Sequence, residues 1–370
     1  MFIPARPVAS AMPLTNYRQP QTTKNLMPQE DLRFALIGHG LWGTRHARAI
    51  AKTAGARLVA IAATSEQGRQ RAQDAHPAAD VVADYRQLLA RDDIDVVDVV
   101  APNHLHHEMG SAALEAGKHL LLEKPMALSV EHCDDLIRLA EEHGRIVTLD
   151  HEMRLSSLWG RVKQMIDEDL IGTPQYVMLE LSRFPYRQGS GGWRFDIHRV
   201  GNWILEEPIH FFDLARWYMS DAGAAESVYA RANSRQPDQP ELQDNFTTIV
   251  NFSGGGFAVI SQTLAAFEHH VTCKVTGEQG AIWANWSAPD ARSPEPVFGL
   301  RYSTDHTNVV EIPFEKPTGE IVELELQIAA VVRSIRDGAA PIADAQDGKW
   351  AVALCLAAQR SVDLGHPVDV

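Results

Sequence analysis

The sequence predicts an α/β protein with two domains, in which a doubly wound parallel sheet is followed by an α+β domain with a large, mostly antiparallel, open-faced sheet. Three observations support this prediction. Short apolar runs alternate with helical segments over residues 31–152, a glycine-rich loop follows the first run, and longer strand-like runs separated by turn residues occupy residues 153–370. A length of 370 residues suits two domains of ordinary size.

The first domain repeats a strand–helix unit, which predicts parallel strands joined by helical crossovers. Its predicted strands are short and mostly apolar, as expected of strands buried on both faces of a sheet. They lie at residues 34–37, 58–62, 96–100, 119–122 and 146–149. Predicted helices lie between them at residues 44–53, 85–90, 107–116 and 130–142.

The alternation of short strands and helices ends after about residue 152. A predicted helix over residues 157–170 ends at Gly172-Thr173-Pro174, a combination that stops helices. The strand-like runs that follow are separated by Gly, Pro, Asn or Asp turns, which predicts a largely antiparallel sheet. They lie at residues 175–184, 226–232, 245–252, 256–263, 271–276, 281–286, 297–302 and 308–314, with helices at 203–219, 321–337 and 348–364. Helices on one face leave the other open, and we expect that face to form a homodimer or homotetramer.

Residues 1–30 form a separate segment with prolines, amides and small residues but no sustained periodicity. The segment lacks the apolar centre of a signal peptide, so we expect a cytoplasmic protein. Two interpretations stay open: a disordered tail, or an arm that lies on a neighbouring subunit.

Composition argues against several classes of function. A net charge of −14 disfavours nucleic-acid binding. No apolar stretch is long enough to span a bilayer, and no basic amphipathic helix suggests membrane binding. The three cysteines lie far apart and fit reduced thiols, and none of the sixteen histidines falls in a metal-binding pattern, so we predict no metal site.

The loop after the first strand carries the GxGxxG pattern, as Gly38-His39-Gly40-Leu41-Trp42-Gly43. Gly38 permits a tight turn, Gly40 lets the backbone approach a pyrophosphate, and Gly43 allows close packing of helix and strand. The following helix offers unpaired N–H groups to phosphates. We therefore predict that this loop binds a dinucleotide.

The end of the second strand bears on the choice between NAD and NADP. An acidic residue usually stands there in NAD-binding proteins to hold the ribose 2′-hydroxyl, but this chain reads Ala62-Ala63-Thr64-Ser65. Thr64, Ser65 and Arg69 offer donors that suit a 2′-phosphate. The cofactor is NAD or NADP, and this pattern favours NADP; a solvated helix residue is an equally good interpretation of Arg69.

Glu123-Lys124-Pro125 follows the strand at 119–122, at the edge of the sheet where open α/β folds bind ligands. Lys124 can donate a proton or hydrogen bond to a substrate hydroxyl, with a pKa that we expect burial to lower. Glu123 can orient the lysine or contact the cofactor, and a cis Lys–Pro bond is compatible with the sequence.

Ala101-Pro102-Asn103 follows the preceding strand and is expected to border the nicotinamide, with His107 as a further candidate contact. His104 and His107 are each also compatible with a packing role at the start of a helix. These residues add a second strand end to the predicted cofactor site.

A third cluster combines Trp193 and Arg194 with the segment Glu206-Glu207-Pro208-Ile209-His210. On a helix, Glu206 and His210 would share a face, and the carboxylate would set the tautomer of the histidine and raise its basicity. The pairing requires a helix that starts near Pro208. A core histidine among apolar neighbours is the alternative interpretation.

Together these motifs resemble the Gfo/Idh/MocA family of oxidoreductases over nearly all of residues 31–370. The strongest matches are the glycine loop, Ala101-Pro102-Asn103, the stretch from Gly117-Lys118-His119 to Glu123-Lys124-Pro125, and Ile209-His210 with Asp213. The resemblance implies a Rossmann domain at 31–152, a substrate-binding and oligomerisation domain at 153–370, and NAD(P)-dependent chemistry on sugars or cyclitols. Lys124 matches the family lysine and His210 the family histidine, whereas Glu206 and Pro208 depart from the usual residues.

We therefore expect hydride transfer between nicotinamide and a secondary hydroxyl, or its ketone, of a sugar, glycoside or cyclitol. His210 would exchange the hydroxyl proton, Lys124 would assist, and Glu206 would orient His210. Arg154, Trp193, Arg194 and Glu207 are expected to line the substrate side. Trp193 could stack on the face of a sugar, and a core residue is an equally good interpretation of it. Two alternatives stay open: a glycosidase that retains its nicotinamide and acts by transient oxidation and elimination, and a non-enzymatic regulator that responds to dinucleotide.

Overall fold

The first half of the chain forms a six-stranded, wholly parallel sheet with the strand order β3-β2-β1-β4-β5-β6. The computed structural model describes residues 30–315 and 318–370, so nearly all of the predicted tail or arm lies outside the described residues. The strands are β1 Leu32–Ile37, β2 Ala56–Ala62, β3 Asp80–Val82, β4 Val96–Val99, β5 His119–Leu122 and β6 Val147–Leu149. The predicted doubly wound parallel sheet is therefore confirmed.

Five helices connect these strands: α1 Gly43–Lys52, α2 Glu66–Ala75, α3 Arg86–Leu89, α4 His106–Glu115 and α5 Val130–His143. Local chemistry fixes their ends. The Ser129 hydroxyl accepts a hydrogen bond from the N–H of His132 and caps α5, and Gly144 ends the same helix in the left-handed conformation. The sequence did not predict α2 or β3, because neither has a strong apolar pattern.

The second sheet has nine strands within the described residues, in the order β14-β13-β12-β11-β7-β10-β9-β8-β15. They are β7 Pro174–Arg183, β8 Ala225–Asn233, β9 Asn245–Phe252, β10 Phe257–Thr263, β11 His269–Gly277, β12 Ala281–Ala288, β13 Val297–Ser303, β14 Val310–Glu311 and β15 Val368–Asp369. All neighbouring pairs are antiparallel except β7 and β10. The predicted strand at 308–314 is reduced to two residues, and Pro313, which cannot donate to a ladder, lies just beyond them.

The helices of the second half are α6 Trp159–Asp167, α7 Ile197–Val200, α8 Trp203–Glu206, α9 Ile209–Tyr218, α10 Glu320–Asp337 and α11 Ala345–Leu364. The prediction of a single helix at 203–219 was wrong, because this segment forms two helices, α8 and α9, separated at residues 207 and 208. Pro208 lacks an N–H and clashes with the preceding turn, so it begins a new helix instead of continuing the old one.

The core joins the two sheets into one unit over residues 31–370. Side chains of α10, including Leu324 and Ile328, pack against Ala47 and Ile50 of α1, so a helix from the end of the chain covers the first domain. On the second sheet, burial alternates along the strands, and the outward face shows apolar side chains such as Phe257 and Trp283. No helix among the described residues is long and apolar enough to cross a membrane.

Candidate active site

The glycine loop has the geometry of a phosphate cradle. Gly38 has φ of +101°, and a Cβ on it would lie 2.0 Å from the carbonyl oxygen of Val100. A Cβ on Gly43 would lie 2.0 Å from the carbonyl oxygen of Gly38, which explains why helix and loop can pack so closely. Nothing lies within 4 Å of a Cβ placed on Gly40, so open space remains above the backbone where a pyrophosphate would approach. The residues present therefore fit a dinucleotide.

Glu123 connects this loop to Lys124. Its Oε1 accepts a short hydrogen bond from the indole N–H of Trp42, and its Oε2 accepts one from the backbone N–H of Lys124 at 3.1 Å. Leu41, the neighbouring loop residue, is exposed. The two sequence motifs, separated by 80 residues, are thus joined by one carboxylate.

A buried polar cluster lies beneath Glu123, centred on His46 of α1. His46 Nδ1 lies 2.8 Å from Asp98, and its Nε2 lies 3.1 Å from Glu123 and 3.4 Å from Asp150. Burial alone would lower the pKa of His46, but the three carboxylates raise it well above its usual range. Burial and the charge of Glu123 raise the pKa of Asp150 to about 7. The cluster therefore holds α1 against the ends of β4, β5 and β6.

The same cluster is the place where a metal ion could be held, because ligand atoms of His46, Glu123 and Asp150 lie within 4.8 Å of one another. The Asp98–His46 contact would orient such a ligand. Hydrogen bonds and ion pairs within the cluster already account for this geometry, so the absence of a metal site stays a prediction.

Lys124 lies at the end of β5, and its bond to Pro125 is cis. Its Nζ donates a hydrogen bond to the backbone carbonyl of Glu206 at 2.5 Å. The expected lowering of its pKa was wrong: burial acts in that direction, but the carboxylates of Glu206, Glu123 and Glu207 outweigh it and raise the pKa. The side chain is therefore a fixed ammonium group, suited to donating a hydrogen bond and stabilising a developing negative charge.

His210 stands on the first turn of α9 and is buried. Its ring lies edge-on to that of His151 at 5.6 Å, and its Nδ1 has no hydrogen-bond partner among the described residues. Burial and the positive charge of Lys124 lower its pKa well below the usual value of 6.5. The imidazole is therefore neutral and can accept a proton.

The predicted pairing of Glu206 with His210 is not what the structure shows. The Glu206 carboxylate accepts a short hydrogen bond from Arg194 Nε and another from the Asn103 amide at 3.3 Å. The carboxylate beside His210 is that of Glu152, with Oε2 lying 3.9 Å from Nδ1. The break at Pro208 is the physical reason, because Glu206 and His210 belong to different helices.

Arg154, a predicted substrate contact, is held by partners within the protein. Its guanidinium is buried and donates to both oxygens of Asp213, to Asp347 and to the carbonyl of Ile342. Four of its five N–H donors are thereby used within the protein. Arg154 is a structural link between α9 and the start of α11.

For Trp193 the structure favours the core interpretation, because its side chain packs with Tyr186 and Trp203 in a small apolar cluster. Arg194 lies over its ring, with 4.7 Å between the guanidinium carbon and the ring centroid. Arg194 instead reaches the site through its ion pair with Glu206. Of the predicted substrate contacts, Glu207 does line the cavity described below.

Two predicted cofactor contacts make other interactions. His107 pairs with Asp135 of α5 at 2.9 Å and stacks on His132, which places it between α4 and α5. Asn103 is buried, and its amide donates to Val200 and Glu206 of the second domain. The neighbouring His106, which no sequence motif indicated, holds the strand ends together, with its ring nitrogens 2.8 Å from the Ala101 carbonyl and 2.6 Å from that of Pro125.

A cavity opens beside His210. Its charged and polar lining includes Glu152, Glu207, Glu320, Glu323 and His269, and its apolar lining includes Trp159, Phe211 and Trp286. Arg183 of β7 forms an ion pair with Glu207, and His269 Nε2 lies 3.6 Å from the same carboxylate. The cavity thus combines aromatic walls with a few carboxyl and imidazole groups, a lining typical of small-molecule sites.

Comparison with known proteins identifies the family. Residues 32–151 match the model described as the oxidoreductase family with an NAD-binding Rossmann fold, and residues 159–283 match the GFO/IDH/MocA C-terminal domain. The chain belongs to the Gfo/Idh/MocA oxidoreductase family. It is therefore a nicotinamide-dependent oxidoreductase, and the resemblance seen in the sequence is confirmed.

Individual relatives within the Gfo/Idh/MocA family are distant. Inositol 2-dehydrogenase 1 of Saccharopolyspora erythraea is 27% identical over 92% of this chain and 96% of its own length. The 1,5-anhydro-D-fructose reductase of Ensifer adhaerens is 25% identical over 91% of this chain and 98% of its own length. The crystal structure of aldose-aldose oxidoreductase from Caulobacter crescentus, complexed with glycerol, has a TM-score of 0.79 at 20% identity, with coverage of 92% and 100%. That structural likeness shows the fold.

The second strand of this Gfo/Idh/MocA protein ends as the sequence predicts, without an acid at Ala62 to Ser65. The Ser65 hydroxyl caps α2 by accepting the N–H of Gly68 at 3.1 Å. Arg69 Nη1 donates to the carbonyls of Ala63 and Thr64 at 3.1 and 2.7 Å, so Arg69 lies at the strand end instead of extending into solvent. Thr64 and Ser65 are exposed there.

Several residues of the site were missed in the sequence. His46, Asp98 and Arg183 come from three separate parts of the chain, and Asp150 and Glu152 come from a fourth. A signal for His46 did exist, because it is a polar residue on the otherwise apolar buried face of α1. Asp98 carries the same signal, as an acid within the buried apolar strand β4, and no local pattern marks the other three.

Proposed function

We propose that this protein transfers a hydride between a nicotinamide cofactor and a secondary hydroxyl, or its ketone, of a neutral sugar, glycoside or cyclitol. The observation that carries the proposal is the placement of a cationic Lys124 and a neutral His210 together between the glycine-loop side of the molecule and an aromatic, carboxylate-lined cavity. The names of the inositol and anhydrofructose relatives agree with it.

Lys124 and His210 have different roles in the proposed reaction. When bound, the nicotinamide supplies the hydride acceptor or donor. Lys124 donates a hydrogen bond to the reacting oxygen and stabilises its negative charge. His210 accepts the hydroxyl proton in oxidation and returns it in reduction, since its pKa is lowered and the ring starts neutral. The carboxyl group of Glu152 faces this ring, with Oε2 lying 3.9 Å from Nδ1.

The charge of the cavity favours a neutral substrate. Burial raises the pKa of Glu152 well above its usual range and that of Glu320 to about 8, with neighbouring carboxylates contributing. Within the described residues, neither glutamate forms an ion pair with a lysine or an arginine. These raised pKa values show that the cavity disfavours negative charge, and a phosphate or carboxylate on the substrate would bring such a charge into it. The described cavity wall holds no unpaired lysine or arginine that would compensate it.

We predict that kcat/KM falls at least about tenfold when a neutral polyol is replaced by its phosphorylated or uronic counterpart. The measurement is formation of reduced nicotinamide over a panel of matched neutral and anionic sugars and cyclitols, with both cofactors. At about pH 9, where Glu320 is mostly ionised, Glu320→Gln should weaken this discrimination. Glu325→Gln, on the same helix but paired with Lys52 outside the cavity, is the matched control. Equal use of neutral and anionic substrates would contradict the proposed substrate class.

For the cofactor, we propose a preference for NADP. Support comes from the missing acid at the end of β2 and from the position of Ser65 and Arg69 at the same strand end. The charge-assisted hydrogen bonds available there suit a phosphate better than a hydroxyl.

We also propose that two copies pair through the open face of the second sheet. Phe257 and Trp283 are exposed on this face, and cation–π contacts with Lys274 and Arg301 hold the Trp283 ring there. Trp283→Glu is expected to shift the molecular mass measured by light scattering from an oligomer towards one chain. A wild-type protein that scatters as a single chain at micromolar concentration would refute this assembly.

A further inference from the structure

His39 lies between the first two glycines of the loop and takes no part in the proposed hydride transfer. Its side chain is 5% exposed, and neither ring nitrogen has a hydrogen-bond partner among the described residues. Leaving two polar atoms buried and unpaired costs free energy. The ring faces the backbone at Gly68 in the first turn of α2 and lies edge-on to His76, with 6.1 Å between centroids.

Cations surround this histidine. Arg48 of α1 and Arg71 of α2 both lie close enough to act on its pKa, as does His76 at the end of α2. Arg48 and Arg71 are exposed, and within the described part of the chain neither forms an ion pair. Arg71 Nη2 lies 4.0 Å from a Cβ placed on Gly68, and that Cβ would lie 2.8 Å from Ser65 Oγ, so the guanidinium and the hydroxyl converge on one spot.

The arrangement is unusual for a chain with a net charge of −14. Two arginines, a buried histidine and the N-terminal end of a ten-residue helix meet at the end of β2. Glu66, on the first turn of α2, is exposed and forms no ion pair with these cations among the described residues. Such a group of donors and positive charges is a site for an anion.

We propose that His39, Arg71 and Arg48 bind the 2′-phosphate of NADP together with Ser65, and that His39 takes up a proton as the phosphate binds. This inference rests on the proposed nicotinamide-dependent function and extends it to a residue of the glycine loop. It makes the preference for NADPH over NADH dependent on pH.

The direction of the pH effect follows from linkage. Burial, His76 and the arginines lower the pKa of His39 below 6.5, so the free protein holds this ring neutral at pH 7. A phosphate beside the ring favours the imidazolium and raises that pKa in the complex. Binding therefore takes up a proton, and NADPH affinity increases as the pH falls through the raised value. This increase in NADPH affinity stops near pH 6, because the phosphate has a second pKa of about 6 and loses negative charge below it.

Calorimetric titration of the full chain with NADPH and NADH, at several values between about pH 6.5 and 8.5, tests this proposal. We expect wild type to bind NADPH at least about tenfold more tightly than NADH and the ratio to grow severalfold as the pH is lowered. His39→Asn should lower the affinity ratio about tenfold and remove its pH dependence. Arg71→Met should lower the ratio at every pH, because Arg71 is a permanent charge.

His143→Asn is the control for His39→Asn, and Arg138→Met is the control for Arg71→Met. Both control residues are exposed on α5. Binding of NADH by the His39 variant shows that the variant is folded. A wild-type ratio near one, or a ratio in His39→Asn that keeps its pH dependence, would overturn the subsite while leaving the oxidoreductase assignment intact. Failure of both cofactors to bind to wild type would overturn the proposed function as well.

Discussion

Replacing Lys124 with methionine is expected to lower kcat by about 10³-fold while the protein stays folded and still binds cofactor. Methionine keeps most of the length and apolar surface of the side chain but removes the ammonium group. The variant therefore loses the hydrogen bond to the Glu206 carbonyl and the positive charge that, together with the larger effect of burial, lowers the pKa of His210. Steady-state turnover of the best neutral polyol, with circular dichroism as the check on folding, measures the effect.

Lys118→Met is the matched control for this prediction. Lys118 is another largely buried lysine of the first domain, and its Nζ also donates to a backbone carbonyl, that of Arg91 at 2.6 Å. Because it lies away from the site, its loss should leave kcat within a few-fold of wild type. Near-normal turnover by Lys124→Met would remove Lys124 from the chemistry and refute the mechanism.

The second large effect concerns stability. Arg154→Met is expected to reduce the free energy of unfolding by roughly 3–5 kcal/mol, because it leaves the buried Asp213 carboxylate without its cation. Asp347 would lose one of its two arginine partners and keep Arg216. We expect a fall of several degrees in Tm, with KM for the polyol unchanged at temperatures where the variant is folded.

Arg161→Met serves as the control, since its contact with Glu168 is 3.5 Å long and that glutamate is largely exposed. A loss below about 1 kcal/mol is expected there. If Arg154→Met instead kept its Tm and raised KM strongly, the arginine would be a substrate ligand, and its role as a link between α9 and α11 would be refuted.

The sequence predicted the elements whose signals are local. Apolar runs such as those at β1 and β5 mark their own strands, and the glycine loop is recognisable because steric limits allow few other residues at Gly38 and Gly43. The position of Lys124 at the edge of the sheet was predictable, since Glu123 and Lys124 follow the buried strand β5 of a parallel sheet.

The partners of these residues could not be predicted in the same way. The Glu206–His210 spacing suits a helix, and only the break at Pro208 separates the two side chains. Glu152 meets His210 across 58 positions of sequence, and Arg154 meets Asp213 across 59. Contacts of this kind depend on how helices pack on the second sheet, which no short window of sequence encodes.

The most direct test of the central proposal is to follow the hydrogen that moves. A neutral polyol deuterated at its carbinol carbons is incubated with wild-type protein and oxidised cofactor, and the cofactor is analysed by mass spectrometry. The proposed function predicts deuterium on the reduced nicotinamide together with formation of a ketone, and loss of both in Lys124→Met. Release of a free sugar from a glycoside without net reduction of cofactor, or no deuterium transfer from any neutral polyol, would contradict it.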